Sequence, residues 1–261
     1  MEAHHAQAID DFLAKYAARD EFVAILLVGS LAHGFAKVNS DVDVILVATD
    51  DEYQRREREK HLAFSLWDIC TYPGGYIDCK VVSLASLDQI AERGSDPARY
   101  AFKDATVLFS RTEALDSVLK RVTRFPIEQK AAREHRFICQ VLAWKWYMSQ
   151  AEENKNAYLV HLATQKLALF ASRVILNRNE ALYPYHKWLL AETKKVSIKP
   201  EGFLETLEAL LHSPSFAMAQ KLADILFEFV GMKEKDVDWP NQFMADSEMN
   251  WLTHEAPVDD L

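Results

Sequence analysis

Two rhythms of apolar and polar positions divide this chain. The first is short and close to period two. Phe22 to Val28 is a nearly unbroken apolar run and reads as a strand. Asp41 to Ala48 starts by alternating acid and apolar, Asp41-Val42-Asp43-Val44, and reads as a second strand. Pro73-Gly74-Gly75 marks a turn, and Tyr76 to Val82 follows as a third. Asp104 to Phe109 is a last short one. Among these strands, helical spacing predicts helices over Ala6–Ala18, over Glu52 to about Asp68 with Asp50 as its cap, and over Ser86–Glu92.

After Arg111 the short runs stop and a 3.6-residue rhythm takes over. Helices are expected over Glu113–Arg121, Ile127–Ser149, Asn156–Leu176, Tyr185–Glu192, Phe203–Leu211 and Phe216–Val230. Gly231 is placed to cap the last. The reading is an α+β chain with a boundary near residue 110: residues 1–110 carry the sheet and residues 111–261 form a helical bundle.

Composition narrows the classes. With 261 residues, 49% of them hydrophobic, the chain can bury a sizeable core. No run approaches the roughly eighteen uncharged apolar residues of a membrane span, and the mixed N-terminus lacks a signal pattern. Three separated cysteines, Cys70, Cys79 and Cys139, fit reduced thiols, so a cytoplasmic location is expected. A net charge of −9 favours a small substrate over long nucleic acid. Asp236, Asp238, Asp246, Glu248, Glu255, Asp259 and Asp260 read as a solvated acidic tail.

Chemistry concentrates in two of the strands and one turn. Asp41 and Asp43, two apart on a strand, project from one face. Like charges there repel unless a cation sits between them, and hard divalent ions prefer carboxylate oxygens. Asp78 joins them if the third strand lies beside the second; Asp68 is a competitor in a less suitable context. Three carboxylates can hold two ions ~3.5–4 Å apart, the arrangement of in-line phosphoryl transfer. Gly29-Ser30, with Gly34 after it, forms a turn whose N–H groups can cradle phosphate. Ser40 stands where it could orient Asp41, and His33 is a further residue of the turn. The spacing excludes the phosphate-loop and dinucleotide fingerprints.

On Gly29-Ser30, Gly34, Ser40-Asp41-Val42-Asp43 and Asp78, the chain resembles the DNA polymerase β-like nucleotidyltransferase superfamily. In layout it is similar to bacterial minimal and aminoglycoside-type nucleotidyltransferases with a C-terminal helical domain. The resemblance implies a small mixed sheet with helices, a nucleoside triphosphate (ATP foremost) as donor, and two Mg²⁺ ions. It implies phosphate contacts at Gly29, Ser30 and Ser40, and metal and catalytic roles for Asp41, Asp43 and Asp78.

A second stretch, Asn177 to Leu189, resembles the region where related enzymes place a lysine on the nucleotide phosphates, and Lys187 is that candidate. Tyr183, Tyr185, Arg178 and Glu134 are candidates for base or acceptor contacts, with Glu128, His135, Arg136 and Gln140 nearby. The expected activity is transfer of a nucleoside monophosphate to a hydroxyl of a small molecule, an antibiotic being one class, with release of pyrophosphate. Alternatives are transfer to a protein hydroxyl, as in antitoxin-like enzymes, and a nucleotide-binding regulatory module with little turnover. A homodimer is a further expectation, with Trp239, Phe243 and Trp251 as packing residues.

Overall fold

The protein is described here from a computed structural model covering residues 1–253 and 255–260, the side chain of Asp260 excepted, so that member of the acidic tail lies outside the described residues. The chain divides into two units, Met1–Arg124 and Phe125–Leu261.

The first unit is a five-stranded sheet with helices on both faces. Its strands are β1 (Phe22–Leu27), β2 (Val42–Ala48), β3 (Ala63–Leu66), β4 (Ile77–Ser83) and β5 (Thr106–Ser110). Their order is β3-β4-β2-β1-β5. β2 and β4 run parallel and the other pairs antiparallel, so the sheet is mixed. Side-chain alternation splits β2 cleanly. Val42, Val44 and Leu46 face a core containing Ile9 and Phe12 of α1 (Ala3–Tyr16). Ile45 and Val47 face a second core with Ala24, Leu26 and Leu87. The second core is closed by α4 (Leu84–Arg93), the segment after α5 (Asp96–Tyr100), and α6 (Leu115–Val122).

Two boundaries differ from the sequence reading. The helix expected from Glu52 to Asp68 is two elements: α3 (Asp50–Arg58) and the edge strand β3. Lys60 takes a positive φ of 54°, ending the helix, and Leu62, Phe64 and Leu66 then alternate onto the α1 core. Pairing of Phe64 with Cys79 on β4 supplies the long-range contacts that local periodicity does not encode. The cap of α3 is Thr49, whose hydroxyl accepts from the N–H of Glu52, and Asp50 is the first helical residue. The unit boundary falls at 124/125 rather than near 110, because α6 buries Leu115, Val118 and Val122 in the core of the first unit.

The second unit is helical: α7 (Lys130–Glu153), α8 (Ala157–Arg178), α9 (Leu189–Lys195), α10 (Phe203–His212), α11 (Phe216–Val230) and α12 (Trp239–Phe243). One short helix of the first unit, α2 (Gly29–His33), belongs to the site described below. Asn156 caps α8 by accepting from Leu159 N–H, and Gly231 ends α11 in the left-handed region. α8 has the length and apolarity of a membrane-crossing helix, but Ala163, Leu167, Ala171 and Val174 are fully buried with Leu142, Phe203 and Leu226 in the core of this unit. Just before the acidic tail, Glu234 holds the buried Lys145 ammonium at 2.6 Å, and within the tail Asp246 is held by Arg136 at 3.0 Å. Trp239 and Phe243 pack on Trp146 and Trp144 of their own chain, at ring separations of 6.4 and 6.1 Å. Trp251 is exposed.

Candidate active site

β2 and β4 lie in a register that pairs Asp43 directly with Asp78. Both carboxylates stand on the face of the second core, at the end of the strands that the helices leave half-open. Asp41 sits one residue before β2. Parallel pairing is therefore what brings Asp78 to the Asp-x-Asp pair, and Asp68 is excluded because it faces Lys15 at 3.2 Å on the surface.

Gly29 comes against this corner from the β1 side. It holds φ of +66°, and a Cβ built on it would lie 1.8 Å from Oδ2 of Asp43. The absence of a side chain is what lets Asp43 approach the backbone, where the N–H of Ser30 donates to its carboxylate. The Ser30 hydroxyl is buried and has no partner. α2 is a little over one turn, so its dipole contributes little. Gly34 ends it with φ of +75° and nothing beside it. His33 is buried against Tyr100, with Nδ1 3.3 Å from Asp104, so it packs the turn onto the fold.

The charge balance at the corner is unfavourable. Burial, then the neighbouring Asp41 charge, push the Asp43 carboxyl above its ordinary range; Lys80 and the Ser30 N–H oppose them, and Asp78 adds to the rise. Lys80 Nζ lies 3.6 Å from Asp78 Oδ2. Tyr76 donates its hydroxyl to Asp41, and that bond with the Asp41 charge pushes the phenol up to about 12. The Tyr76 ring stacks on Trp67 at 4.4 Å. Burial also pushes the Tyr72 phenol up, further than that of Tyr76. Spectrophotometric titration should therefore show late phenols, and Tyr76→Phe should remove one late step while leaving that of Tyr72 and the earlier ones in place.

Among the described residues, no three His, Cys, Asp or Glu side chains gather closely enough to enclose an ion. The expected three-carboxylate cradle is thus not closed: Asp41 is engaged by Tyr76 and Asp78 by Lys80. The donor chemistry nevertheless fits a hard divalent cation. All three donors are carboxylates, and Asp43 is raised by burial first and then by the Asp41 charge, a pairing of a half-dry acid with a second acid that a divalent cation would relieve.

No protein-family model matches the chain, and no curated protein matches it. A solved structure described as a nucleotidyltransferase-like protein from Exiguobacterium sibiricum is similar over 98% of this chain and 83% of its own, at 14% identity and a TM-score of 0.47.

Ser40 is a loop brace. Its hydroxyl accepts from Lys37 N–H at 2.8 Å, and its carbonyl accepts from Tyr72 O–H at 2.7 Å and from the buried His5 ring at 3.1 Å. It thus steadies the segment that carries Asp41 through its backbone. Tyr76, Lys80, Tyr72 and His5 went unread in the sequence. Tyr76-x-Asp78-x-Lys80 carries the period-two signal that places two of them on the Asp78 face.

In the helical unit the second motif is rearranged. Tyr183 is buried with Leu176 and Leu189, beneath the Arg173 guanidinium at 4.4 Å, so it is a core residue and not a base platform. Arg178 and Glu134 pair with each other through two hydrogen bonds, and Arg178 also reaches the Val230 carbonyl at 3.2 Å. They join α7, α8 and the end of α11, which leaves neither for an acceptor. Glu134→Ala should cost about 1.5–3 kcal/mol in urea unfolding, and adding Arg178→Ala should cost less than the two single changes summed. Gln140 and Arg136 likewise bind Ser247 and Asp246. Lys187 and Tyr185 are exposed, Lys187 with its ammonium over Trp188 at 5.2 Å. Tyr185 has φ of +67° and leads into a 3-10 turn over His186–Trp188, after which α9 starts at Leu189.

Proposed function

We propose that this protein is a nucleotidyltransferase that moves a nucleoside monophosphate, AMP from ATP foremost, to a hydroxyl of a small molecule. The observation that carries the reading is the pairing of Asp43 with Asp78 beside Gly29, whose missing side chain opens the Ser30 N–H and the unpartnered Ser30 hydroxyl to the same corner. Asp41, Asp43 and Asp78 would hold Mg²⁺, which supplies positive charge against the triphosphate. Ser30 would donate to a phosphate oxygen. Asp78 would take the proton of the acceptor hydroxyl as its oxygen bonds the α-phosphorus. The bond to the leaving pyrophosphate breaks at the same centre, and pyrophosphate departs with the electron pair. Lys187 is proposed as a further phosphate contact, as a mobile point charge.

The test is incubation of the whole chain with Mg²⁺ and α-labelled nucleoside triphosphates against a panel of hydroxylated metabolites and antibiotics. Label on a small acceptor with matching pyrophosphate is the expected result. Label on a co-purified protein, or no transfer by a chain that binds the nucleotide, overturns it. A second reading, a nucleotide-binding module with little turnover, is favoured by the Lys80 ammonium beside Asp78, which satisfies that carboxylate without a metal. It predicts nucleotide binding without pyrophosphate release.

A further inference from the structure

The helical unit carries a half-open cavity of about 1070 Å³, lined by α7, α8, Phe243 of α12 and the segment after it. Its charges are unevenly placed. Of the cations on the helices, Arg133, Lys166 and Arg173 are half-buried and Arg136 is exposed, while Glu248 and Asp259 on the C-terminal segment are exposed. The remaining pair is already neutral: Arg136 grips Asp246 with two nitrogens, at 2.8 and 3.0 Å.

Lys166 is the informative residue. Its ammonium lies 5.7 Å from the centre of the Trp144 ring, and among the described residues no carboxylate pairs with it. The ring face attracts the ammonium without neutralising it, so an anion at that point would form a charge-assisted pair with it. Phe137, Trp144 and Tyr147 line the same space. Such flat apolar faces suit a ring, and the volume suits a ligand of drug-like size.

We propose that this cavity binds a small planar anion, an aromatic ring bearing a sulfonate, carboxylate or phosphate, with the ring on Trp144 and the acid group on Lys166. The proposal does not rest on the transferase reading, since every residue it uses lies in the helical unit.

Three probes sharing one ring separate charge from shape: naphthalenesulfonate, the neutral naphthalenesulfonamide, and naphthylmethylammonium, each titrated calorimetrically into the full chain. One sulfonate should bind per chain, about tenfold or more tighter than the sulfonamide, because a charge-assisted contact contributes that much. Lys166→Gln should abolish the difference, and Lys166→Arg should keep it. An Asp41→Asn, Asp43→Asn double variant should bind the sulfonate like the parent. Equal binding of the three probes, preference for the ammonium, no binding of the sulfonate, or an unchanged preference in Lys166→Gln each overturns the proposal. So does loss of sulfonate binding in the Asp41, Asp43 double variant.

Discussion

Gly29→Ala should destabilise the first unit by about 2–4 kcal/mol and abolish Mg²⁺-dependent nucleotide binding. Two costs combine. The left-handed conformation penalises any Cβ, by about 1–2 kcal/mol for an ordinary residue. The new methyl would also stand 1.8 Å from an Asp43 oxygen, so the carboxylate must leave the Ser30 N–H or the turn must leave the strand. Gly34→Ala is the control. Its φ is +75°, but nothing lies within 4 Å of the added atom, so only the conformational cost of about 1–2 kcal/mol applies and nucleotide binding should persist. Urea unfolding together with calorimetric titration of Mg·ATP distinguishes the two. A Gly29→Ala chain that binds Mg·ATP like the parent would mean that the corner is not the site.

Asp43→Asn should cut nucleotidyl transfer by about a hundredfold or more, the usual scale for losing one electrostatic group at a reacting centre. The same change should raise stability at neutral pH without metal. Asp43 carries a raised carboxyl in the fold, mainly from burial and then from Asp41. A group raised above its unfolded value binds its proton more tightly in the folded state. Its favourable contribution is present below the ordinary carboxylate range and is lost as pH rises through the raised value. Above that value the parent holds a poorly solvated charge that asparagine lacks. The stability difference between variant and parent should therefore shrink as pH falls from the raised value through the ordinary carboxylate range, and be at its smallest below that range. Mg²⁺ should raise the melting temperature of the parent and leave the variant nearly unchanged. A variant no more stable than the parent at neutral pH, or one still stabilised by Mg²⁺, would contradict the account.

Much of the corner is legible in the sequence alone. Asp41-Val42-Asp43 places two acids on one side of a strand by alternation alone, and Gly29-Ser30 after an apolar run marks a turn at its end. The strands around them are the kind of short runs that local pattern identifies well. β3 was not legible, because Leu62, Phe64 and Leu66 follow a charged helix and gain strand character only by pairing with β4. The packing of Tyr183, Arg178 and Glu134 is not legible in the sequence for a related reason. Aromatic and charged residues near a Pro-containing turn have the composition of a binding site, and only packing reveals that Tyr183 lies under Arg173 and that Arg178 is spent on Glu134.

By itself, the sequence determined the rhythm: a strand-rich first part, a helical second part, and two carboxylates and a glycine turn on adjoining strands. These follow from periods of 2 and 3.6, which are properties of neighbouring residues. Only the tertiary structure decided that β4 runs parallel to β2 with Asp78 opposite Asp43, and that Gly29 touches Asp43. It alone revealed that Tyr76 and Lys80 engage two of the three acids. Strand order and register are set by which faces bury the most apolar surface across the whole unit, and no local stretch of chain contains that sum.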